Sequence, residues 1–258
     1  MKTLIGRILF RISRVVLQKF GYNIRVGSYV SQYPELTRSE TDFLHKVNLA
    51  SVTMTSYESL SALAIACKYL NIAKVSGDFV EAGVWRGGSS IVAKKFLSGE
   101  RKFYLYDTYK GMTQPTEFDF RVGESSNTST VSNWNRLNRD THNEWVFASL
   151  QEVRENFEKF KVLDESILFI EGDVRETLTS TELPKTIALL RLDTDFYDSS
   201  LVELQVLWPR LVNGGILILD DYGHWDGARR AVDEYFQNEK DLLMVPIAGG
   251  GGRIIVKK

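Results

Sequence analysis

A chain of 258 residues, 43% hydrophobic and 12% aromatic, suits one large α/β domain with additions or at most two small ones, and excludes global disorder. Its net charge of -1 supplies no electrostatic reason for a nucleic-acid partner. The single cysteine, Cys67, cannot form an internal disulfide, so a reducing compartment is allowed.

Charge is uneven along the chain. Residues 1–25 hold Lys2, Arg7, Arg11, Arg14, Lys19 and Arg25 and no acid, a charge of +6 that leaves -7 for the rest. Leu4, Ile8, Ile12, Val15 and Val16 follow helical spacing, with Arg7, Arg11 and Arg14 on another face. The run is too short and too interrupted by charge for a transmembrane helix or a signal peptide. Residues 1–30 are expected to be a basic amphipathic helical extension and 31–258 the main domain. Three placements stay open for the extension: an anionic membrane surface, its own domain, or a second copy in a homo-oligomer. A cytoplasmic location follows, at the membrane surface if the first placement holds.

After a polar stretch from Ser31 to Glu40, helical spacing runs from Ser56 to Leu70, with Cys67 as a small buried hydrophobe. The strand Asp78–Ala82 leads through Gly83, Gly87 and Gly88 into a helix over Ile91–Leu97. A second strand, Phe103–Tyr106, closes on Asp107. Residues 112–143 are polar without a sustained period and read as a loop or lid. A helix over Glu144–Phe160 precedes the strand Ile167–Ile170, which ends at Glu171-Gly172-Asp173. Two apolar runs follow, closed by Asp193-Thr194-Asp195 and by Asp220-Asp221, with a helix over Ser199–Leu211 between them. A helix over Ala228–Phe236 precedes two strands, Leu242–Pro246 and Arg253–Val256, joined through Gly249–Gly252. Alternation of helices with continuous apolar strands predicts a doubly wound, mostly parallel, seven-stranded Rossmann-like sheet with a C-terminal antiparallel hairpin.

In such a sheet ligands bind beyond the carboxyl ends of the strands, where Glu81, Asp107, Asp173, Asp193 and Asp220 all fall. Neighbouring strands lie roughly 4.8 Å apart, so Asp193, Asp195, Asp220 and Asp221 crowd one edge. Such carboxylates repel unless a cation, a proton or a strong donor network compensates, and a hard divalent ion is the simplest compensation. The glycine turn has neither the dinucleotide nor the phosphate-loop spacing; it serves a ligand's approach or only the turn. Asp107 is placed for a ribose diol, while Asp173 either reads an adenine edge or caps a helix. The first half therefore suits an adenosine-bearing cofactor without a pyrophosphate cradle.

Val84-Trp85-Arg86-Gly87-Gly88, Asp107-Thr108-Tyr109-Lys110-Gly111-Met112, Arg191 through Ser199 and Asp220 through Arg229 resemble the macrocin O-methyltransferase (TylF-type) family over residues 50–236. The resemblance implies a class I methyltransferase fold and methylation of sugar hydroxyls with S-adenosylmethionine and Mg²⁺, chiefly on macrolide and aminocoumarin antibiotics. It implies that Asp193, Asp220 and Asp221 bind Mg²⁺ and that Asp195 is the general base. Thr53, Met54, Glu81, Gly83, Ser89, Asp107 and Asp173 match segments that surround S-adenosylmethionine. His224 and Trp225 either flank the acceptor, Trp225 offering a face to a sugar ring, or are a turn residue and a packing residue. Arg86 fixes the glycine loop, pairs with Glu81, or meets the cofactor carboxylate. The basic extension and residues 112–143 fall outside the pattern and leave the acceptor, a small molecule or a glycan, unspecified. Two rival functions stand beside this one. A metal-dependent glycosyltransferase would use Asp193-Thr194-Asp195 as its D-x-D motif, and an inactive membrane-surface scaffold would keep the fold alone.

Overall fold

The apolar runs pair into one sheet. In the computed structural model, which describes residues 33–258, the strands are β1 (Asp78–Ala82), β2 (Phe103–Asp107), β3 (Ile167–Glu171), β4 (Ile187–Leu192), β5 (Leu211–Leu219), β6 (Val245–Pro246) and β7 (Arg253–Val256). The described helices are α1 (Arg38–Leu49), α2 (Tyr57–Ile72), α3 (Gly88–Phe96), α4 (Thr128–Leu137), α5 (Leu150–Lys159), α6 (Val174–Ser180), α7 (Tyr197–Leu207) and α8 (Asp226–Tyr235). The basic segment 1–25 lies outside the described residues. Residues 39–258 form one compact unit.

The strand order is β3-β2-β1-β4-β5-β7-β6. The first five are parallel, β7 runs antiparallel to β5, and β6 antiparallel to β7. The expected doubly wound sheet with its terminal hairpin is thus present. Helices on both faces cover the central strands, and every residue of β4 is buried. Val80, Ala82, Leu190, Leu192, Leu217 and Leu219 alternate along β1, β4 and β5 into one continuous core. Order reverses between β1 and β4, so the crevice beyond their carboxyl ends is the ligand position of this topology.

Several boundaries differ from the sequence reading, each for a local reason. Arg38–Leu49 is helical where no element is expected, because Leu44 and Val47, three residues apart, bury one narrow stripe of an otherwise polar segment. Residues 112–143 contain α4, whose one buried residue is Thr130, too little apolar surface to register as a period. Helix α5 begins at Leu150 rather than Glu144, since the Ser149 side chain accepts from the Glu152 N–H as N-cap. Helix α7 stops at Leu207, a 3₁₀ turn carries Pro209 over Trp208–Arg210, and β5 starts at Leu211, earlier than its apolar core suggests.

Candidate active site

Two charges sit inside buried strands, and they meet. Glu81 of β1 and Arg191 of β4 are register partners, and their side chains are 1% and 2% exposed. Arg191 Nη1 donates to Glu81 Oε1 at 2.7 Å and to Asp193 Oδ2 at 2.7 Å. Its Nη2 donates to Asp220 Oδ1 at 2.8 Å and to Thr55 Oγ1 at 3.1 Å. Burial opposes the guanidinium's charge, but Asp193, Asp220 and Glu81 together hold it well above its ordinary range. Burial raises the Glu81 carboxyl against the pull of Arg191 and of Ser90, whose hydroxyl donates to it. Part of the crowded negative charge is therefore met by an internal cation and its donor network.

Part is not. Asp193, Asp220 and Asp221 each bring one oxygen within 4.8 Å of the others. Burial and mutual repulsion keep the Asp193 and Asp221 carboxyls well above their usual range. Burial first, then the charge of Asp193, pushes Asp195 up to about 7. Three hard oxygen donors, carrying more negative charge than Arg191 alone offsets, fit Mg²⁺ in kind. Asp195 holds a left-handed backbone, φ 65°, and its N–H donates to Asp221 Oδ2 at 3.0 Å. A non-glycine residue in that region signals local strain retained by its surroundings.

One cavity at the β1/β4 reversal gathers nearly all the expected residues. Asp193, Asp195, Asp220 and Asp221 line it together with Thr53, Met54, Gly83, Ser89, Asp107 and Asp173. Glu81 does not line the cavity; it is bonded to Arg191, which does. Asp107 is engaged by the protein itself: Val84 N and Trp85 N donate to Oδ2 at 2.7 and 2.8 Å, and Tyr109 N to Oδ1 at 2.7 Å. Asp173 caps α6 by accepting from Arg175 N at 2.9 Å, and its carboxylate pairs with the Arg175 side chain at 2.6 Å. Burial would raise that carboxyl, yet the Arg175 hydrogen bonds outweigh it and lower it.

The glycines answer to the chain more than to a ligand. Gly83 has φ 83°, and a Cβ there would stand 1.8 Å from the Asp193 carbonyl oxygen, so the turn after β1 and the end of β4 touch backbone to backbone. Arg86 pairs with neither Glu81 nor the cavity; its Nε meets Glu152 Oε1 at 2.7 Å, and its guanidinium lies 4.8 Å over Trp85.

His224 and Trp225 line the far side of the cavity. His224 Nε2 accepts from Gly251 N at 2.9 Å, which pins the glycine loop before β7. Trp225 is 4% exposed, packed edge-on by Phe196 at 5.5 Å and tilted against Trp145 at 5.9 Å. Arg121 lies 4.6 Å over its ring, so this face is covered and the indole supports the wall rather than offering an open platform to a sugar. Arg191, Arg121 and Trp145 are among the lining residues to which the sequence reading assigned no role. A legible signal existed for Arg191 alone: an arginine inside an apolar strand requires a buried partner, and Glu81 inside β1 poses the same requirement.

The model of one protein family, macrocin-O-methyltransferase (TylF), matches residues 25–248. The 8-demethyl-8-(2,3-dimethoxy-alpha-L-rhamnosyl)-tetracenomycin-C 4'-O-methyltransferase of Streptomyces olivaceus is 35% identical over 187 residues, 71% of this chain and 67% of that protein. Demethyldecarbamoylnovobiocin O-methyltransferase of Streptomyces niveus is 33% identical over 165 residues, 62% of this chain and 58% of that one. The matched stretches thus span about two thirds or less of these relatives. Among solved structures, the O-methyltransferase NovP superposes with a TM-score of 0.69 at 28% identity, covering 80% of this chain and 82% of its own.

Proposed function

The chain belongs to the macrocin O-methyltransferase family, and from that premise we propose that it methylates a hydroxyl of a sugar or glycoconjugate with S-adenosylmethionine and Mg²⁺. One observation carries the reading. The acidic centre Asp193, Asp195, Asp220 and Asp221 opens into the same cavity as Thr53, Gly83 and Ser89, at the order reversal between β1 and β4. Membership sets aside the D-x-D glycosyltransferase alternative, and an inactive scaffold has no use for a complete and converging set of carboxylates.

Methyl transfer is a displacement: a new O–CH₃ bond forms as the S–CH₃ bond breaks, and the sulfur leaves with the bonding pair as a neutral thioether. The acceptor hydroxyl must lose its proton. Asp193, Asp220 and Asp221 would hold the cation, which when bound lowers the hydroxyl's pKa and orients it. Asp195 is the general base, set beside the candidate ligands by the hydrogen bond of its N–H to Asp221 and positioned for proton transfer. Segment 51–55 and the turn after Gly83 bound the cofactor side. Trp145, Trp225 and Arg121 bound the acceptor side.

The test is methyl transfer to a panel of glycans and glycosides, with and without Mg²⁺, alongside calorimetric titration with S-adenosylhomocysteine. Asp195→Asn keeps the side-chain size and the backbone N–H to Asp221. It is expected to lower kcat by about 10²- to 10⁴-fold with S-adenosylhomocysteine affinity unchanged. Near-normal turnover in this variant removes Asp195 as base, and activity confined to protein or nucleic acid removes the acceptor class.

A further inference from the structure

Asp193, Asp220 and Asp221 do not have both of their oxygens free. Asp193 Oδ2 and Asp220 Oδ1 accept from the two terminal nitrogens of Arg191 at 2.7 and 2.8 Å. Asp221 Oδ2 accepts from the Asp195 N–H at 3.0 Å. Each carboxylate of the candidate metal set thus has one oxygen committed to a donor that is itself fixed. The Asp195 donor is backbone. The Arg191 donor is a planar fork whose side chain is 2% exposed, held besides by Glu81 Oε1 at 2.7 Å and Thr55 Oγ1 at 3.1 Å. Turning either Asp193 or Asp220 to present both oxygens outward would strip an acceptor from a guanidinium whose side chain is 2% exposed.

Glu81 explains why a cation can sit there at all. Its carboxylate balances the charge of Arg191, so the pair supplies geometry without cancelling the three carboxylates that face the cavity. An unbalanced arginine would repel a divalent ion from the centre.

We propose that Arg191, balanced by Glu81, sets the cation preference of this centre by limiting Asp193 and Asp220 to one ligating oxygen each, as the Asp195 N–H limits Asp221, which favours Mg²⁺ or Mn²⁺ over Ca²⁺. The inference rests on the metal-dependent reading above. Mg²⁺ takes six ligands in a tight octahedron and accepts few carboxylate oxygens completed by water and substrate oxygens, whereas Ca²⁺ takes six to eight and commonly uses a bidentate carboxylate. Three single oxygens match the first ion and leave positions for acceptor hydroxyls. They give the second no bidentate carboxylate and leave more of its larger shell to water. Arg191 is a positioning residue here, touching the ligands and not the reacting atoms.

Calorimetric titration of the full chain with MgCl₂, MnCl₂ and CaCl₂, in the presence of S-adenosylhomocysteine, tests this. Ca²⁺ is expected to bind at least about tenfold more weakly than Mg²⁺, the scale on which partners of metal ligands act. The double variant Glu81→Gln/Arg191→Met removes both charges together, so neither is left buried alone. It should lose the Mg²⁺-over-Ca²⁺ preference while S-adenosylhomocysteine still binds. Arg191→Lys keeps the charge but not the fork and should lose most of the preference, which carries the comparison if the double variant does not fold. Equal affinity for Ca²⁺ and Mg²⁺ in the unaltered protein, or full preference retained in a folded variant, overturns the inference alone. No cation heat beside intact S-adenosylhomocysteine binding overturns the metal-dependent reading with it.

Discussion

Asp107 shows how one carboxylate can serve two purposes at the scale of a residue. Two of its three backbone clients, Trp85 and Tyr109, have left-handed backbones with φ 46° and 50°, conformations that cost non-glycine residues energy unless the surroundings hold them. Asp107→Ala leaves three N–H groups without their acceptor, a loss of roughly 1–3 kcal/mol for each group that stays buried and unpaired. A lower melting temperature and weaker S-adenosylhomocysteine binding are therefore expected together, measured by thermal melts and calorimetry. Weaker binding at an unchanged melting temperature would mean that the carboxylate serves the ligand alone. Its place at the end of β2 is legible in the sequence; its occupation by the neighbouring turn is not, because that depends on how far the loop folds back. Glu203 is the opposite case, a carboxyl in α7 with 0% exposure that nothing in the sequence marks as buried beneath the site. Burial, with the charges of Asp221 and Asp173 acting in the same direction, holds it well above the carboxylate range. The folded state therefore binds this proton more tightly than the unfolded chain. Its stabilising contribution is present below the unfolded value of about 4.3 and declines as pH rises above it. Glu203→Gln should melt with a smaller loss of stability between about pH 5 and pH 8, and an identical pH profile in melts of the two proteins would refute the assignment.

Among the elements, the polar segment 112–143 departs furthest from its sequence reading, and the reason lies in backbone pairing that no hydropathy pattern records. Its ends are tied: Asn143 N donates to the Lys110 carbonyl at 2.7 Å and Met112 N to the Trp145 carbonyl at 3.1 Å. Its middle is tied too, with Val122 N donating to the His224 carbonyl and Asp226 N to the Phe120 carbonyl, at 2.9 and 2.8 Å. Asp119 fastens it most firmly. That side chain is 0% exposed and accepts from Tyr197 N at 2.7 Å, in the first turn of α7, and from Thr116 N at 2.7 Å. Negative charge at a helix N-terminus is favourable, and Gly227 leaves the room, since a Cβ there would stand 2.2 Å from Asp119 Oδ1. The segment is thus built as a wall fastened to α7 and α8, and it carries Arg121 and Met112 to the cavity, on the side proposed above for the acceptor. Asp119→Ala should lower stability by roughly 1–3 kcal/mol. In the folded variant the acceptor KM should rise while S-adenosylhomocysteine affinity holds, because the segment borders the acceptor side. A variant that loses cofactor affinity as well would show that the wall supports the whole cavity. Strands β1, β2 and β4, by contrast, were readable because burial on both faces makes them continuous apolar runs, and α5 began late because Ser149, not hydropathy, sets its start.

For the whole molecule, what the sequence discloses and what it withholds divide along the same physical line. Acids at strand ends reveal the site because parallel topology gathers every carboxyl end at one edge. Strand order and register, which place Glu81 opposite Arg191, are tertiary facts and stay hidden. The charge asymmetry is a whole-chain property of the first kind: +6 within residues 1–25 against an otherwise acidic protein. Among the described residues no helix is long and apolar enough to cross a membrane. Basic residues near an anionic bilayer are worth about 1 kcal/mol each, so the six of this segment, with Leu4, Ile8 and Ile12 at helical spacing, lead us to propose reversible attachment to an anionic surface. A glycolipid or lipid-linked saccharide would then be within reach as acceptor. The full chain should sediment with phosphatidylserine-rich vesicles at low salt and be released at about 1 M, where the screening length falls to ~3 Å. Replacing Arg7, Arg11 and Arg14 by glutamate removes the positive charge of the segment, since three +1 groups become three -1 groups beside Lys2, Lys19 and Arg25. That variant should stay in the supernatant yet methylate a soluble glycoside at the unaltered rate. A full chain that never sediments at low salt would instead assign the basic face to a protein surface, its own or a partner's.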